Sequence, residues 1–257
     1  MKDDGLVTVI MPSYNTAEYI AETIESVINQ TYPYWELIIV DDCSTDDTDS
    51  VVERYLSDER IRYLKNEKNC GAAISRNYAL REAKGKWVAF LDSDDVWLPE
   101  KLETQIAFMV ENDYKFSCTD YRIRQNGILL PYACISPNIV TRRKLFNYCY
   151  IATLTVMYDR EFVGLVQIEN LRKNNDYAMW FEVAKKAPCH RLPLRLSYYC
   201  RHNGSLSSGN KLKLIKHHYI LYRKGLHKGR LLSVLLTVNN LLWGVHKKLF
   251  YKEKVEI

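Results

Sequence analysis

Three carboxylates within four positions are the strongest chemical signal in this chain. Asp92, Asp94 and Asp95 directly follow the apolar run 88–91, which has the composition of a buried strand. Like charges this close repel one another, and a divalent cation that itself carries a phosphate would neutralise them. Alternatively, the acidic residues only cap the helix that follows. The rest of the sequence must distinguish a metal-bound nucleotide from a solvated turn.

The first half of the chain predicts the elements that position this cluster. Short runs rich in Val and Ile alternate with stretches of helical spacing, a pattern typical of βαβ units and a largely parallel sheet. We predict strands over 7–11, 37–40, 61–64 and 87–91. Between them we predict a helix from Ile20 to about Gln30, a second capped by Ser44 or Thr45, and a third from Gly71 to about Ala83, with Gly85 at its C′ position.

Polar residues collect where these predicted strands end. Pro12, Tyr14 and Asn15 follow the first strand, Asp41 and Asp42 follow the second, and the acidic cluster follows the fourth. In an open α/β sheet, ligands bind beyond the carboxyl ends of the strands. An aromatic ring, a carboxylate pair and a metal-type cluster suit a nucleotide base, ribose hydroxyls and a diphosphate with its cation.

The second half is less regular. We predict a helix from Pro99 to about Asn112, strands at 115–122 and 152–158, a helix over 176–186, a strand over 194–200 and a polar loop over 201–209. Trp97 is expected either to stack on a sugar or to pack under the helix that begins at Pro99. We divide the chain into a domain of residues 1–210, with a nucleotide-binding half (1–98) and an acceptor half (99–210), and a tail of residues 211–257.

Four ordered segments carry a family resemblance: Val7-Thr-Val-Ile-Met-Pro-Ser-Tyr-Asn15, Ile39-Val-Asp-Asp-Cys-Ser-Thr45, Asn69-Cys-Gly-Ala-Ala-Ile-Ser-Arg-Asn77 and Leu91-Asp-Ser-Asp-Asp95. Together they resemble family 2 glycosyltransferases of the GT-A fold, in particular those that build bacterial polysaccharides. A fainter match continues through residues 174–180 to 199–207. The resemblance implies an α/β fold of the GT-A, Rossmann-like kind, with a mostly parallel sheet flanked by helices and followed here by a helical tail.

The resemblance also implies roles on the donor side. Pro12, Tyr14, Asn15 and the Asp41/Asp42 pair would hold the base and ribose, most often of a uridine diphosphate sugar. Arg76 would lie near the donor, and Asp92 would reach ribose or sugar hydroxyls. Arg201 would act as a charge partner in a mobile segment that closes over the diphosphate.

A metal and a base complete the implied machinery. Asp94, with Asp95, would bind Mg²⁺ or Mn²⁺ bridging the diphosphate oxygens, and His202 would be a further metal or phosphate contact. Asp176 would be the base that takes a proton from the acceptor hydroxyl. Relatives commonly show Glu-Asp at this position, whereas here Asn175 precedes the aspartate. The missing charge should make Asp176 easier to ionise.

The charge distribution and the cysteine content limit the possible partners and the cellular compartment of the protein. Residues 211–257 hold eleven Lys and Arg against two Glu, although the whole chain carries a net charge of only +5, so the body is mildly acidic. This balance argues against a nucleic-acid-binding body and for a tail that meets a polyanion such as an anionic lipid. The segment 231–245 is expected to lie in a membrane interface or, equally, to pack on the body. Seven cysteines without C-x-x-C spacing, and no apolar leader before Val7, predict reduced thiols and a cytoplasmic protein.

The leading hypothesis is therefore an inverting, metal-dependent glycosyltransferase. It would act on a glycan or lipid-linked glycan of O-antigen or capsule type, at the inner face of the cell membrane. One alternative is a sugar-phosphate nucleotidyltransferase, which should show a glycine-rich loop where Pro12-Ser-Tyr-Asn15 stands. The other is a non-catalytic nucleotide-sugar-binding module, which is expected to lose the metal cluster or the base.

Overall fold

The computed structural model describes residues 3–202 and 211–255. Its strands are β1 (Val7–Ser13), β2 (Trp35–Asp41), β3 (Ile61–Lys65), β4 (Trp87–Phe90), β5 (Val96–Trp97), β6 (Phe116–Gln125), β7 (Ile128–Cys134), β8 (Ile139–Val140), β9 (Val156–Asp159), β10 (Cys189–Arg201) and β11 (Lys252–Lys254). Its α-helices are α1 (Ile20–Ile28), α2 (Thr48–Glu53), α3 (Ala72–Glu82), α4 (Lys101–Glu111), α5 (Arg142–Leu145), α6 (Arg160–Val163), α7 (Asn175–Val183), α8 (Lys211–Ile220) and α9 (Arg230–Phe250).

One mixed sheet organises the described residues. Its main strand order is β11-β7-β6-β9-β4-β1-β2-β3, and β10 pairs with β5, β6 and β8. The strands β4, β1, β2 and β3 are mutually parallel, whereas β9 runs antiparallel to β4 and begins the less regular half. The predicted parallel βα arrangement of the first half is therefore confirmed.

The central strands separate two hydrophobic layers. In β1, Ile10 points into one core with helices α3 and α7, and Val9 and Met11 point into the other with α1 and α4. All seven residues of β1 and of β2 are buried, because a parallel sheet is covered by helices on both faces. This rigid centre fixes the positions of the loops at its carboxyl edge.

Several predicted boundaries were wrong for local reasons. Neither Ser44 nor Thr45 caps α2: the N-cap residue is Asp47, and the Ser44 hydroxyl instead donates to Asp41. The helix predicted from Pro99 begins at Lys101. The strand predicted over 152–158 is a 3₁₀ turn (Thr153–Thr155) followed by the shorter β9. The predicted strand 194–200 is the last part of a longer one, β10.

Gly85 is not a left-handed helix cap. α3 ends at Glu82, the next residue Ala83 is already extended, and Gly85 lies against β1. Its backbone N–H donates to the Thr8 hydroxyl at 2.8 Å, and a Cβ at Gly85 would stand 2.6 Å from the Thr8 backbone nitrogen. Glycine is required here for a close approach of two backbones rather than for its conformational freedom.

The tail is helical and packs on the body. Within the tail, α9 contacts α8 and the π-helical turn Leu221–Gly225. Against the body, that turn contacts α7, Asn240 of α9 bonds the Tyr177 hydroxyl, and β11 pairs with β7 at the edge of the sheet. Of the two alternatives open from the sequence, the structure shows contact with the body, although much of the outer side of α9 stays exposed. Among the helices of the described ranges, none has the length and apolar character needed to cross a bilayer. All seven cysteines are free thiols.

Candidate active site

The carboxyl ends of β1, β2 and β4 lie side by side. Ser13 is opposite Asp41 in the β1–β2 register, and Ile10 is opposite Phe90 in the β1–β4 register. The backbone N–H of Asp42 donates to the Ser13 carbonyl at 2.8 Å, which extends the pairing past the strand ends. The predicted groups after the three strands therefore share one edge of the sheet.

The loops that follow β1 and β2 are joined through Asn15. Its backbone N–H donates to the Ser44 hydroxyl at 2.8 Å, and its side-chain oxygen accepts from the Thr45 backbone N–H at 2.8 Å. Asn15 has a positive φ of 51°, a conformation that asparagine tolerates better than most residues. The two loops thus form one wall, on which Tyr14 is exposed and beneath which Pro12 is buried in β1.

The two aspartates at the carboxyl end of β2, Asp41 and Asp42, are buried, and both accept hydrogen bonds from the chain. Asp41 accepts from the Ser44 backbone N–H at 2.8 Å. Asp42 accepts from the backbone N–H groups of Cys70 at 2.8 Å and Gly71 at 2.7 Å, and from the Asn66 side chain at 2.8 Å. Asp42 therefore fixes the start of α3 against β2. Asn66, which follows β3, was missed, although the strand-end rule could have found it.

Arg76 joins the two halves of the site. It projects from α3, is almost fully buried, and donates to the Asn175 side-chain oxygen at 2.8 Å and to Asp92 in a short ion pair. Burial by itself would lower the pKa of Arg76, but the charges of Asp92 and Asp176 more than offset this effect and leave the pKa raised. The guanidinium is therefore a fixed cation between Asp92 and Asp176.

Asp94 and Asp95 have different environments. Burial and then the charge of Asp92 raise the pKa of Asp94 to about 6, so a nearby cation would relieve a real electrostatic penalty. Asp95 is buried and accepts from the Cys200 backbone N–H at 2.8 Å; burial, followed by the charges of Asp94 and Asp92, raises its pKa well above the usual value. Asp95 thus anchors the end of β10.

A ready-made three-ligand metal site is absent from the described residues. No group of three or more His, Cys, Asp or Glu side chains converges there in a geometry that could hold an ion. The predicted set of Asp94, Asp95 and His202 is thus not gathered into a cage. The donor chemistry still fits a hard cation, because Asp94 carries an unfavourable negative charge beside Asp92.

Asp176 lies in the first turn of α7. It is half-buried, and its carboxylate accepts from the Thr153 hydroxyl at 3.1 Å and from the Tyr177 backbone N–H at 2.8 Å. The Thr153 contact comes from the 3₁₀ turn that the sequence did not predict. The fixed carboxylate can accept a proton from a hydroxyl that approaches this side.

The end of β10 brings a further group to the site. The His202 ring stacks on Tyr19 with ring centroids 3.7 Å apart, and exposed Arg201 lies 5.7 Å from the Tyr199 ring. Tyr19, just before α1, was not predicted from any motif. Its pKa is raised, first by a hydrogen bond with Glu18, and the charge of Asp94 contributes, which relates the stacked pair to the acidic cluster. The rest of the predicted mobile loop, residues 203–209 with Gly204 and Gly209, lies outside the described residues.

Trp97 is a packing residue rather than an open sugar platform. It is 2% exposed, and its ring N–H donates to the Leu154 carbonyl at 2.8 Å. The buried ammonium of Lys101 lies 3.8 Å from its ring centroid. Of the two alternatives open from the sequence, packing under α4 is the one the structure supports.

Sequence comparison gives matches over most of the chain. The profile of glycosyl transferase family 2 matches residues 8–155. TuaG of Bacillus subtilis strain 168, a glycosyltransferase assigned by its name to teichuronic acid biosynthesis, is 44% identical over 222 residues, which cover 85% of this chain and 88% of TuaG. WfgD of Escherichia coli, named UDP-Glc:alpha-D-GlcNAc-diphosphoundecaprenol beta-1,3-glucosyltransferase, is 36% identical over 251 residues, which cover 96% of this chain and 97% of WfgD.

Solved structures share the fold at lower sequence identity. S. aureus TarS 1-349 in complex with UDP-GlcNAc matches with a TM-score of 0.71 and 24% identity, over 91% of this chain and 71% of that one. The mannosyltransferase PcManGT of Pyrobaculum calidifontis, in complex with GDP-Man and Mn²⁺, matches with a TM-score of 0.67 and 18% identity, over 93% and 75%. At these identities the likeness concerns the fold alone.

Proposed function

The chain belongs to glycosyl transferase family 2 and is a glycosyltransferase of the GT-A fold, and from this premise we propose that it transfers a sugar with inversion from a UDP-sugar to a lipid-linked glycan. One observation carries the proposal: Arg76 contacts Asp92 and Asn175, and Asp176 follows Asn175. A donor-side carboxylate and the candidate base therefore flank one fixed cation.

The donor site is proposed at the carboxyl edge of the sheet. Base and ribose are held by the wall formed by the loops after β1 and β2, and the sugar by Asp92. Arg201 is proposed to reach the diphosphate from the end of β10. The residues proposed to hold base and ribose are Pro12, Tyr14, Asn15, Asp41 and Asp42. The names of WfgD and of WfaP, a second E. coli relative, specify UDP-Glc, which supports a UDP-sugar.

Asp94 is proposed as the main ligand of Mg²⁺ or Mn²⁺. The cation, when bound, would stabilise the charge that develops on the departing diphosphate. Asp94 fits this role because burial and the charge of Asp92 raise its pKa to about 6, a penalty that a cation relieves. Asp95 is proposed to act mainly by holding Cys200, and a metal contact from Asp95 or His202 stays a prediction. The Mn²⁺ in the Pyrobaculum structure supports a divalent ion in this fold.

Asp176 is proposed as the general base of a single displacement. It takes the proton of the acceptor hydroxyl as the oxygen forms its bond to the anomeric carbon, and the bond from that carbon to the diphosphate breaks on the opposite side. The nucleoside diphosphate leaves with the bonding electrons, and the configuration at carbon inverts. The hydrogen bond from Thr153 holds Asp176 in one orientation for this transfer.

The acceptor is proposed to be a sugar-diphospho-undecaprenol at the inner face of the cell membrane, in a surface-polysaccharide pathway of the O-antigen or capsule kind. WfgD and WfaP are both named for alpha-D-GlcNAc-diphosphoundecaprenol as acceptor, and WfgD aligns with 96% of this chain. The basic tail supports a setting at an anionic surface.

The test is release of UDP from a panel of UDP-sugars, with GlcNAc-diphosphoundecaprenol in detergent as acceptor, with and without Mn²⁺. We expect metal-dependent UDP release with at least one donor, and an inverted anomeric configuration by NMR. Asp176→Asn should lower the rate about 10²- to 10⁴-fold while leaving UDP binding unchanged. Glu182→Gln, on the same helix and paired with the exposed Lys185, is the matched control and should keep its activity.

Three results would count against the proposal. Full activity of the Asp176→Asn variant would remove the assigned base, and retention of configuration would exclude a single displacement. UDP binding without turnover, on any acceptor from cell extracts, would favour a non-catalytic binding module.

A further inference from the structure

Helix α9 is amphipathic, but its polar face is turned to the body and its apolar face to solvent, the reverse of an ordinary surface helix. Its polar residues Ser233, Thr237 and Asn240 are the buried ones. The Asn240 side chain donates to the hydroxyls of Tyr177 at 3.0 Å and Tyr222 at 3.2 Å. These hydrogen bonds dock the helix on the body through its polar face, which leaves the apolar face turned outward.

The outward face forms a continuous apolar stripe. We call it the outer stripe: Leu231, Leu235, Val238, Leu242, Val245 and Leu249. These residues recur at spacings of four and three along the helix, so they line one side of it, and each is between 52% and 76% exposed. Helices of monomeric proteins normally turn such a stripe to the core, and an exposed one of this extent marks an interaction surface.

A groove widens this surface beside the helix. It lies between α8 and α9, has a volume of about 410 Å³, and is open to solvent. Ile215 and Tyr219 line it from α8, and Val234, Val238 and Leu241 line it from α9. Lys216 lies at the same groove and is exposed. The apolar area therefore extends across two helices, with a cation beside it.

The positive charge of residues 211–252 indicates which kind of partner binds the outer stripe and the groove. Residues 211–252 contain ten Lys and Arg and no Asp or Glu. The spacing of the outer stripe alone would suit packing against the same helix of a second copy. Helix pairs of that kind gain specificity from opposite charges that flank the apolar contact. Two copies of this segment present only positive charges to each other. Apolar residues flanked by exposed Lys224, Arg230 and Lys248 match an anionic lipid surface instead.

We propose that the outer stripe and the adjoining α8–α9 groove dock on an anionic lipid bilayer, with α9 lying in the plane of the interface. The consequence for catalysis rests on the proposed function: Asn240 of α9 contacts Tyr177, the residue after Asp176, so docking holds the acceptor side of the active site next to the surface that carries a lipid-linked acceptor. The membrane helix and the base helix thereby move as one unit.

The test is co-flotation of the full-length protein with lipid vesicles. Binding is expected to vesicles of phosphatidylcholine with about 30% phosphatidylglycerol, to fall at least about tenfold with phosphatidylcholine alone, and to weaken as salt rises from about 0.1 M to 0.5 M. The triple variant Leu235→Ser, Leu242→Ser, Leu249→Ser should bind at least about tenfold more weakly. The matched control carries three serines at exposed apolar residues elsewhere, Ile128, Phe162 and Leu165.

The outcomes separate this inference from the proposed function. Equal vesicle binding by wild type and the outer-stripe variant overturns the docking surface, as does equal loss in the control variant. A doubled mass in light scattering that the outer-stripe variant abolishes, without vesicle binding, assigns the stripe to a second copy and also overturns it. UDP release with acceptor in detergent is measured in parallel; its absence in a wild type that still binds vesicles counts against the proposed function alone.

Discussion

Arg76 donates a hydrogen bond of 2.8 Å to the side-chain oxygen of Asn175, ninety-nine positions later in the chain. The contact is buried and joins α3 of the nucleotide-binding half to the start of α7. The neutral asparagine satisfies the guanidinium without adding a second negative charge beside Asp176. The pairing thus determines both the position of Arg76 and the local charge around the proposed base.

Removal of this contact should cost stability. In Asn175→Ala the buried Nη1 group of Arg76 loses its acceptor, and the Leu171 carbonyl loses the Asn175 amide at 3.2 Å. We expect the free energy of unfolding to fall by about 1–3 kcal/mol, measured by urea denaturation, and transfer to slow. Asn175→Asp keeps an oxygen acceptor for Arg76 and should lose less stability. Equal losses in both variants would contradict this account.

The two adjacent carboxylates of the acidic cluster should respond differently to the same change. Asp94→Asn removes the proposed metal ligand, and the Mn²⁺ enhancement of UDP binding should disappear in calorimetry. Asp95→Asn keeps an oxygen that can accept from the Cys200 backbone N–H, the contact that the wild-type carboxyl makes. This variant should retain the metal-dependent binding.

Asp95→Leu tests the anchoring role. It removes the acceptor of the Cys200 N–H while keeping the site buried, so we expect a loss of about 1–3 kcal/mol in the free energy of unfolding. If Asp95→Asn abolished the effect of Mn²⁺ and Asp94→Asn preserved it, the assignment of ligand and anchor would have to be exchanged.

The tail should loosen in acid through His218. Burial, and then the charge of His217, lower the pKa of His218 from 6.5 to about 4, and its Nδ1 lies 3.4 Å from the Asn174 amide beside α7. Because the pKa of His218 is lower in the folded than in the unfolded protein, the unfolded protein binds a proton at a higher pH than the folded protein does. The free energy of unfolding should therefore fall as pH drops from 6.5 towards 4.

His218→Gln removes this titration. The variant should lose less stability than wild type between pH 6.5 and 4.5, by on the order of 2 kcal/mol, when urea denaturation is compared at several pH values. Lys224→Gln, at an exposed position of the same tail, is the control and should follow the wild-type pH profile, because lysine stays charged over this range. Parallel profiles for wild type and His218→Gln would refute the prediction.

Gly85 should not tolerate a side chain. In Gly85→Ala the new Cβ would lie 2.6 Å from the Thr8 backbone nitrogen and 2.7 Å from the Leu6 carbonyl oxygen, so β1 or the turn before β4 must shift. We expect a loss of about 2 kcal/mol and a Tm lower by about 4–8 °C in calorimetry. Gly229→Ala, with nothing within 4 Å of the added carbon, should leave Tm nearly unchanged.

The sequence was most informative where local pattern and burial agree. Buried parallel strands are continuous apolar runs, so β1, β2 and β4 and the polar residues at their ends could be recognised without coordinates. The sequence was least informative where a single tertiary contact overrides the local preference of a residue for a helix cap or a strand. Ser44 has the side chain of a helix cap but bonds Asp41, and residues 153–155 turn rather than extend, which brings Thr153 to Asp176.

The amino-acid sequence was enough to predict the fold class and the sheet edge where polar residues collect, because strand periodicity and strand-end residues are local properties of the chain, and its four ordered segments were enough to indicate the family. Three relationships needed the folded chain: which carboxylate of the acidic cluster bonds the Cys200 N–H, which residue partners Arg76, and which face of α9 meets the body. Those outcomes depend on burial and on contacts between residues tens of positions apart, such as Asp95 with Cys200 and Asn240 with Tyr177. In α9 the buried Asn240 bonds two tyrosines of the neighbouring elements while the outer stripe stays exposed, a result that composition could not distinguish from its reverse.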